Sequence, residues 1–323
     1  MSVIVHKTAD GREFVRTADH AFEELPDFPY APNYVEIDGL RMHYVDEGPR
    51  NGQVVLLLHG QPDWSYLYRK MIPLIVAAGH RVIVPDMIGM GRSDKPTNKD
   101  THTIYARAGW WKAMIDALEL KDITLFGQDW GGFTSLMVVA QHPECFQRVM
   151  VSNCGLWLMP DPILNVPQGI NREDYPVDAD AKVRTFDDFV ADCNAKGYLK
   201  DDMSDFFFAW MRYALTGPEL KASDNLRRDF GGIELTEDEV RAYDAPFPDE
   251  IFMTGIRTLP SMGSLIDTQR SLADWEALKT FDKPFLTLFG QFDMLVGSEK
   301  TQNTLIANVP GAAGLSHDRI PAG

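Results

Sequence analysis

The chain has 323 residues, of which 45% are apolar and 24% charged, values that exclude disordered and fibrous classes. At this length a compact protein buries roughly 75% of its unfolded surface and needs no disulfide or metal to hold it together. The 31 basic against 47 acidic side chains leave a formal charge of −16, which excludes nucleic acid and anionic membranes as expected partners and points to small neutral or apolar molecules.

In chain order, residues 34–47 alternate like two antiparallel strands about a turn at Asp38-Gly39 and are expected at the edge of a sheet. Short β-branched or leucine-rich runs follow at 54–58, 81–85, 123–126 and 149–152, with helical stretches at 105–118 and 133–141. Runs apolar on both faces belong to a parallel sheet covered by helices, so the fold class is α/β. The alternation stops near Asn153. Residues 156–248 are rich in Pro, Asp and aromatics, with helices expected at 185–194 and 204–215, and read as an inserted helical cap. A further strand at 285–289 returns the chain to the sheet, so the expected division is core 1–155, cap 156–248 and core again 249–323.

Residues 123–132, ITLFGQDWGG, read as a strand, a tight turn and a helix, with Asp129 flanked two residues away by Gly127 and Gly131. This is the G-x-nucleophile-x-G elbow with aspartate as the nucleophile. The backbone N–H groups of the helix start favour a carboxylate, although an aspartate there can also serve simply as a cap. After the 54–58 run comes His59-Gly60-Gln61-Pro62, a turn whose Gln61 N–H, with that of Trp130, would make an oxyanion hole. His59 reads as a residue that holds the loop. Asp293, in GQFDMLVG, offers a second acid, or again a helix cap. Cys145, Cys154 and Cys193 have no metal-ligand spacing and read as structural thiols of a reducing compartment, so no metal is expected. No apolar run reaches the ~18 residues of a membrane span, and the first thirty residues lack a signal-peptide core, so a cytoplasmic protein is expected.

Taken together, residues 59–73 (HGQPDWSYLYRKMIP), 81–96, 123–133, 208–220 (FAWMRYALTGPEL), 242–249 and 288–297 resemble the haloalkane dehalogenases of the α/β-hydrolase superfamily, in the branch with a tryptophan in the cap. The resemblance implies that Asp129 is the nucleophile, Asp293 the acid orienting a catalytic histidine, and Trp130 and the cap residue Trp210 the halide-binding indoles. Without it, Trp210 reads as cap core. It further implies a small apolar halogenated substrate, water and halide as partners, no cofactor, and a monomer. Two departures stand out. Gln61 occupies a position that usually holds Glu or Asn, and the family's histidine follows an Ala-Gly, which here is Ala322-Gly323, so the expected histidine would be the next residue. His317 lies about seven positions earlier, at the start of the last strand. Two other readings remain open at this point. One is an epoxide hydrolase using cap tyrosines among Tyr175, Tyr198, Tyr213 and Tyr243; the other is a catalytically incomplete halide-binding remnant.

Overall fold

The computed structural model describes residues 3–162, 166, 168, 169, 172, 183–198, 203–226, 234–293 and 296–321. The chain opens with β1 (Val5–Lys7) and β2 (Glu13–Val15), then forms β3 (Asn33–Ile37), β4 (Leu40–Glu47), β5 (Val54–Leu58), β6 (Arg81–Pro85), β7 (Lys95–Pro96), β8 (Ile123–Gln128), β9 (Phe146–Ser152), β10 (Phe285–Gly290) and β11 (Asp318–Ile320). Eight of these make the main sheet in the order β11-β10-β9-β8-β5-β6-β4-β3, while β1, β2 and β7 form a small separate sheet. The pairs from β6 through β5, β8, β9 and β10 to β11 are parallel. β4 runs antiparallel to both β3 and β6. The β3-β4 turn is the expected Asp38-Gly39 pair, both at positive φ (53° and 74°), the geometry that a two-residue hairpin with right-handed strand twist demands.

The helices are α1 (Ile72–Ala77), α2 (Ile104–Ala117), α3 (Asp129–Gln141), α4 (Phe186–Lys196), α5 (Ser204–Thr216), α6 (Glu237–Asp244), α7 (Thr254–Thr258), α8 (Thr268–Leu278) and α9 (Glu299–Asn308). α3 lies against β8, α2 and α8, and every residue from Trp130 to Ala140 is buried, as expected for a helix crossing the centre of a parallel sheet. It begins four residues before the expected start at 133 because Asp129 makes the whole turn in one step. Between β9 and β10 the described residues form helices and turns but no strand. Capping boxes start α4 (Thr185 with Asp188) and α6 (Thr236 with Glu239). The buried Arg257 of α7 donates to the carbonyls of Ala214 (3.1 Å) and Gly217 (2.8 Å), satisfying the C-terminal end of α5. Phe186, Phe189, Phe206 and Trp210 from α4 and α5 share one apolar cluster with Leu56, Leu125 and Phe289 of the sheet, so these helices are packed into the core. Among the described residues no helix is long and apolar enough to cross a membrane.

Candidate active site

All parallel strands point the same way, so the turns after β5, β8, β9 and β10 collect at one end of the sheet, where open α/β sheets place their crevice. At this end Asp129 has φ 51°, a left-handed conformation that a non-glycine residue adopts only when its surroundings enforce it. Those surroundings are backbone. A Cβ on Gly131 would lie 2.3 Å from the Leu58 carbonyl oxygen, and one on Gly60 would lie 2.1 Å from Asp129 Oδ1. The elbow and the β5 turn therefore touch main chain to main chain, and the Gln61 N–H donates to Asp129 Oδ1 at 2.7 Å. Burial pushes the Asp129 carboxyl up, the N–H groups of Trp130 and Gln61 pull it back, and the charge of Asp293 raises it again, for a result of about 6.

The rest of the turn is a support. His59 donates from Nδ1 to the Gly60 carbonyl (2.9 Å) and accepts at Nε2 from the Met87 N–H (3.0 Å). Burial lowers it to about 4, so it is the neutral loop-holder expected from the sequence. The buried carboxylate of Asp86, just past β6, accepts from His43 Nδ1 (2.8 Å) and from the N–H groups of Ser65 and Arg92 (2.7 Å each), tying three segments together. The Gln61 side-chain amide is committed elsewhere, donating to the Ile256 carbonyl at 2.7 Å. Sequence reasoning passed over Asp63, which is 2% exposed. Its Oδ1 has no hydrogen-bond partner. Burial first and the charge of Asp129 second push its carboxyl to about 7.

Asp293 stands three residues beyond β10. Its Oδ1 accepts from the Val296 N–H at 2.8 Å and its Oδ2 accepts from the side chain of Asn153. Asn153 was also missed. It sits at φ 48° directly after β9, and its own Oδ1 accepts from the Gly290 N–H at 2.7 Å, so one amide locks the end of β10 and the acid beyond it. Its only signal in the sequence is an asparagine, which tolerates positive φ, at a strand end. His317 is not brought to this end. It meets the Thr287 N–H (3.2 Å) and hydroxyl (3.1 Å) with Nδ1 and the Ala312 carbonyl (2.9 Å) with Nε2, at the start of β11. Ala322 and Gly323 lie outside the described residues, as does Tyr175.

Of the tryptophans, Trp64, Trp110 and Trp111 donate their indole N–H to Ala242, Asp38 and Thr134. Among the described residues no acceptor takes that of Trp130 or Trp210, although the two side chains are only 3% and 5% exposed. Trp210 packs among Phe186, Phe189 and Tyr213. The ring lying on Trp130 is instead Trp157, which sequence reasoning did not single out. The other tyrosines are spread out: Tyr243 accepts from Arg69 beside Tyr66, Tyr213 stacks on Phe189, and Tyr198 is half-buried next to Lys196. Among the described residues no three His, Cys, Asp or Glu side chains are grouped to hold a metal ion. All three cysteines are free thiols, and burial pushes Cys154 far up.

Residues 53–216 match the family described as alpha/beta hydrolase fold. The chain is 35% identical to a haloalkane dehalogenase of Psychrobacter cryohalolentis, over 96% of this chain and 91% of that protein. It is 36% identical to one of Mycobacterium marinum (96% and 93%) and 38% identical to haloalkane dehalogenase 1 of Mycobacterium tuberculosis (96% and 92%). Among solved structures, the tetrameric haloalkane dehalogenase DpaA of Paraglaciecola agarilytica superposes with a TM-score of 0.70 at 28% identity, over 96% of this chain and 92% of that one. With this sheet order, this elbow and these relatives, the chain belongs to the haloalkane dehalogenases, hydrolases of carbon–halogen bonds built on the α/β-hydrolase fold.

Proposed function

We propose that the protein hydrolyses small apolar haloalkanes in two steps through an ester on Asp129. One observation carries this reading: a half-buried carboxylate with one oxygen pinned by the Gln61 N–H, next to an indole N–H that no acceptor takes among the described residues. Asp129 Oδ2 attacks the halogen-bearing carbon, the new C–O bond forming as the carbon–halogen bond breaks, and the halide leaves with the bonding pair. A desolvated carboxylate is the stronger nucleophile for this displacement, and the donors Trp130 and Trp210 stabilise the growing charge without transferring a proton. Water then attacks the ester carbonyl, its proton passing to a histidine oriented by Asp293, and the oxyanion forms against the N–H groups of Gln61 and Trp130. The alcohol departs and Asp129 is restored. No cofactor takes part.

β11 runs parallel to β10, with Ile320 beside Gly290, and so carries the chain toward the end of the sheet where Asp293 lies. Both ring nitrogens of His317 are engaged near Thr287, at the start of β11, which removes it as the base. Residues 156–248 act as the cap over a core of 1–155 and 249–323.

The test is product identity. Bromide should be released from 1-bromobutane and no diol formed from styrene oxide, the reverse result favouring an epoxide hydrolase. Asp129→Asn should release no bromide while still binding it, and bromide should quench tryptophan fluorescence less in Trp130→Phe and Trp210→Phe. Release by Asp129→Asn within tenfold of the parent would end the nucleophile assignment.

A further inference from the structure

Trp157 lies four residues beyond Asn153, in a segment without periodicity, and its ring is buried against others, 6% exposed. Its plane is 16° from that of Trp130 with centroids 5.3 Å apart. Phe133 lies at 5.1 Å and Phe207, from α5, at 6.1 Å. The remaining side is main chain: a Cβ on Gly263 would fall 2.0 Å from Trp157 Cζ2, so only glycine there leaves room for the indole. The same indole also lines a cavity of about 10 Å³, space for no more than one water, shared with Phe133, Leu156, Ile266, Tyr105 and Asp274. Trp130 does not reach this cavity. Trp157 therefore stands as a partition, with the ring beside the nucleophile on one face and a blind space leading toward half-buried Tyr105 on the other.

We propose that Trp157 is a specificity-determining wall of the substrate pocket, closing it behind Trp130 and restricting the enzyme to short, unbranched haloalkanes. The proposal rests on the reading of Asp129 as nucleophile and Trp130 as halide donor. With the carbon held at Asp129 and the halide at Trp130, the alkyl chain must fit within the apolar rings that remain, and Trp157 fills the room through which a longer chain would extend. Truncating the indole joins the blind cavity to that space. One methylene admitted to or refused by an apolar pocket changes kcat/KM by roughly 10- to 200-fold, so the effect is large enough to read.

The experiment measures first-turnover bromide release, which does not depend on the second step, for bromoethane, 1-bromobutane and 1-bromohexane with the full-length protein and with Trp157→Phe, Trp157→Leu and Trp157→Ala. The rate ratio of 1-bromohexane to bromoethane should rise at least tenfold in Trp157→Ala and progressively less in Trp157→Leu and Trp157→Phe. Gly263→Ala, which drives the ring toward Trp130, should move the ratio the other way. A general loss of packing would slow all substrates together, and so leave the ratio in place. If folded Trp157→Leu and Trp157→Phe keep the parent ratio within twofold, the wall assignment is overturned. Should Trp157→Ala fail to unfold cooperatively, those two variants alone decide. A parent that releases no bromide from any of the three substrates overturns the nucleophile reading and this proposal with it, which is a different result from an active parent with an unchanged ratio.

Discussion

Asp129 holds its charge at the expense of the fold. A carboxyl raised from 3.8 to about 6 favours the native state most below pH 4 and loses that contribution as the pH climbs through 6, because the buried group must then ionise. Asp129→Asn keeps an amide that tolerates φ 51° and drops the charge, so at pH 7.5 it should melt higher than the parent, by the equivalent of about 2 to 3 kcal/mol. An unchanged melting temperature would speak for a plain helix cap, since Asn caps a helix about as well as Asp. The same ionisation governs the chemistry. First-turnover bromide release should be flat above pH 7 and fall about tenfold per unit below 6; a profile still flat at pH 5 contradicts it. Asp63 makes a parallel case without catalysis. With its carboxyl raised to about 7 and one oxygen unpartnered, it weakens the fold increasingly between pH 4 and 7. The melting advantage of Asp63→Asn should therefore be near zero at pH 4 and greatest at 7 and above, as differential scanning across that range would show.

At the scale of the element, the contact between the elbow and the β5 turn decides what glycine may become. Gly131→Ala forces a methyl group onto the carbonyl oxygens of Leu58 (2.3 Å) and His59 (2.4 Å), which are fixed in or next to a central strand, and should cost several kcal/mol together with bromide release. Gly109, inside α2, has open space where its Cβ would go, so Gly109→Ala should stabilise by about 0.5 to 1 kcal/mol and leave activity in place. Urea titration of the two variants reads both outcomes. The expected strands at 54–58 and 81–85 coincide with β5 and β6, and those at 123–126, 149–152 and 285–289 lie inside β8, β9 and β10, since continuous apolar runs leave little choice. β1, β2 and β7, of two or three residues each, escaped notice because only their pairing makes them strands. Asn153 and Trp157 were illegible for a related reason. The one acts on Asp293, 140 positions away, and the other on rings from α3 and α5, so neither leaves a local pattern. Asp129 and Gln61 could be read from the chain because glycine spacing records a turn directly.

For the whole molecule, the site is a property of the assembled sheet. Gln61, Asp129, Asn153 and Asp293 follow four different strands, and the last of these joins only when β10 docks on β9. Such long-range pairing is slow to form. In refolding from urea, bromide-sensitive fluorescence should trail the far-UV helical signal; coincident recovery would mean that the halide site does not need β10. The strand order also has a consequence during synthesis. β3, β4, β5, β6, β8 and β9 are neighbours in the sheet and are all made by residue 152, whereas β10 and β11 are later additions to the edge at β9. At ribosomal speeds of roughly 5 to 20 residues per second, the stretch of some 130 residues before β10 takes roughly 7 to 26 s to emerge. Throughout that interval β9 is a bare apolar edge on a six-stranded nascent sheet, the kind of surface that pairs with a neighbouring chain on the same polysome. Expression yield should therefore depend on translation rate through the segment between β9 and β10 more than through any other stretch of the gene.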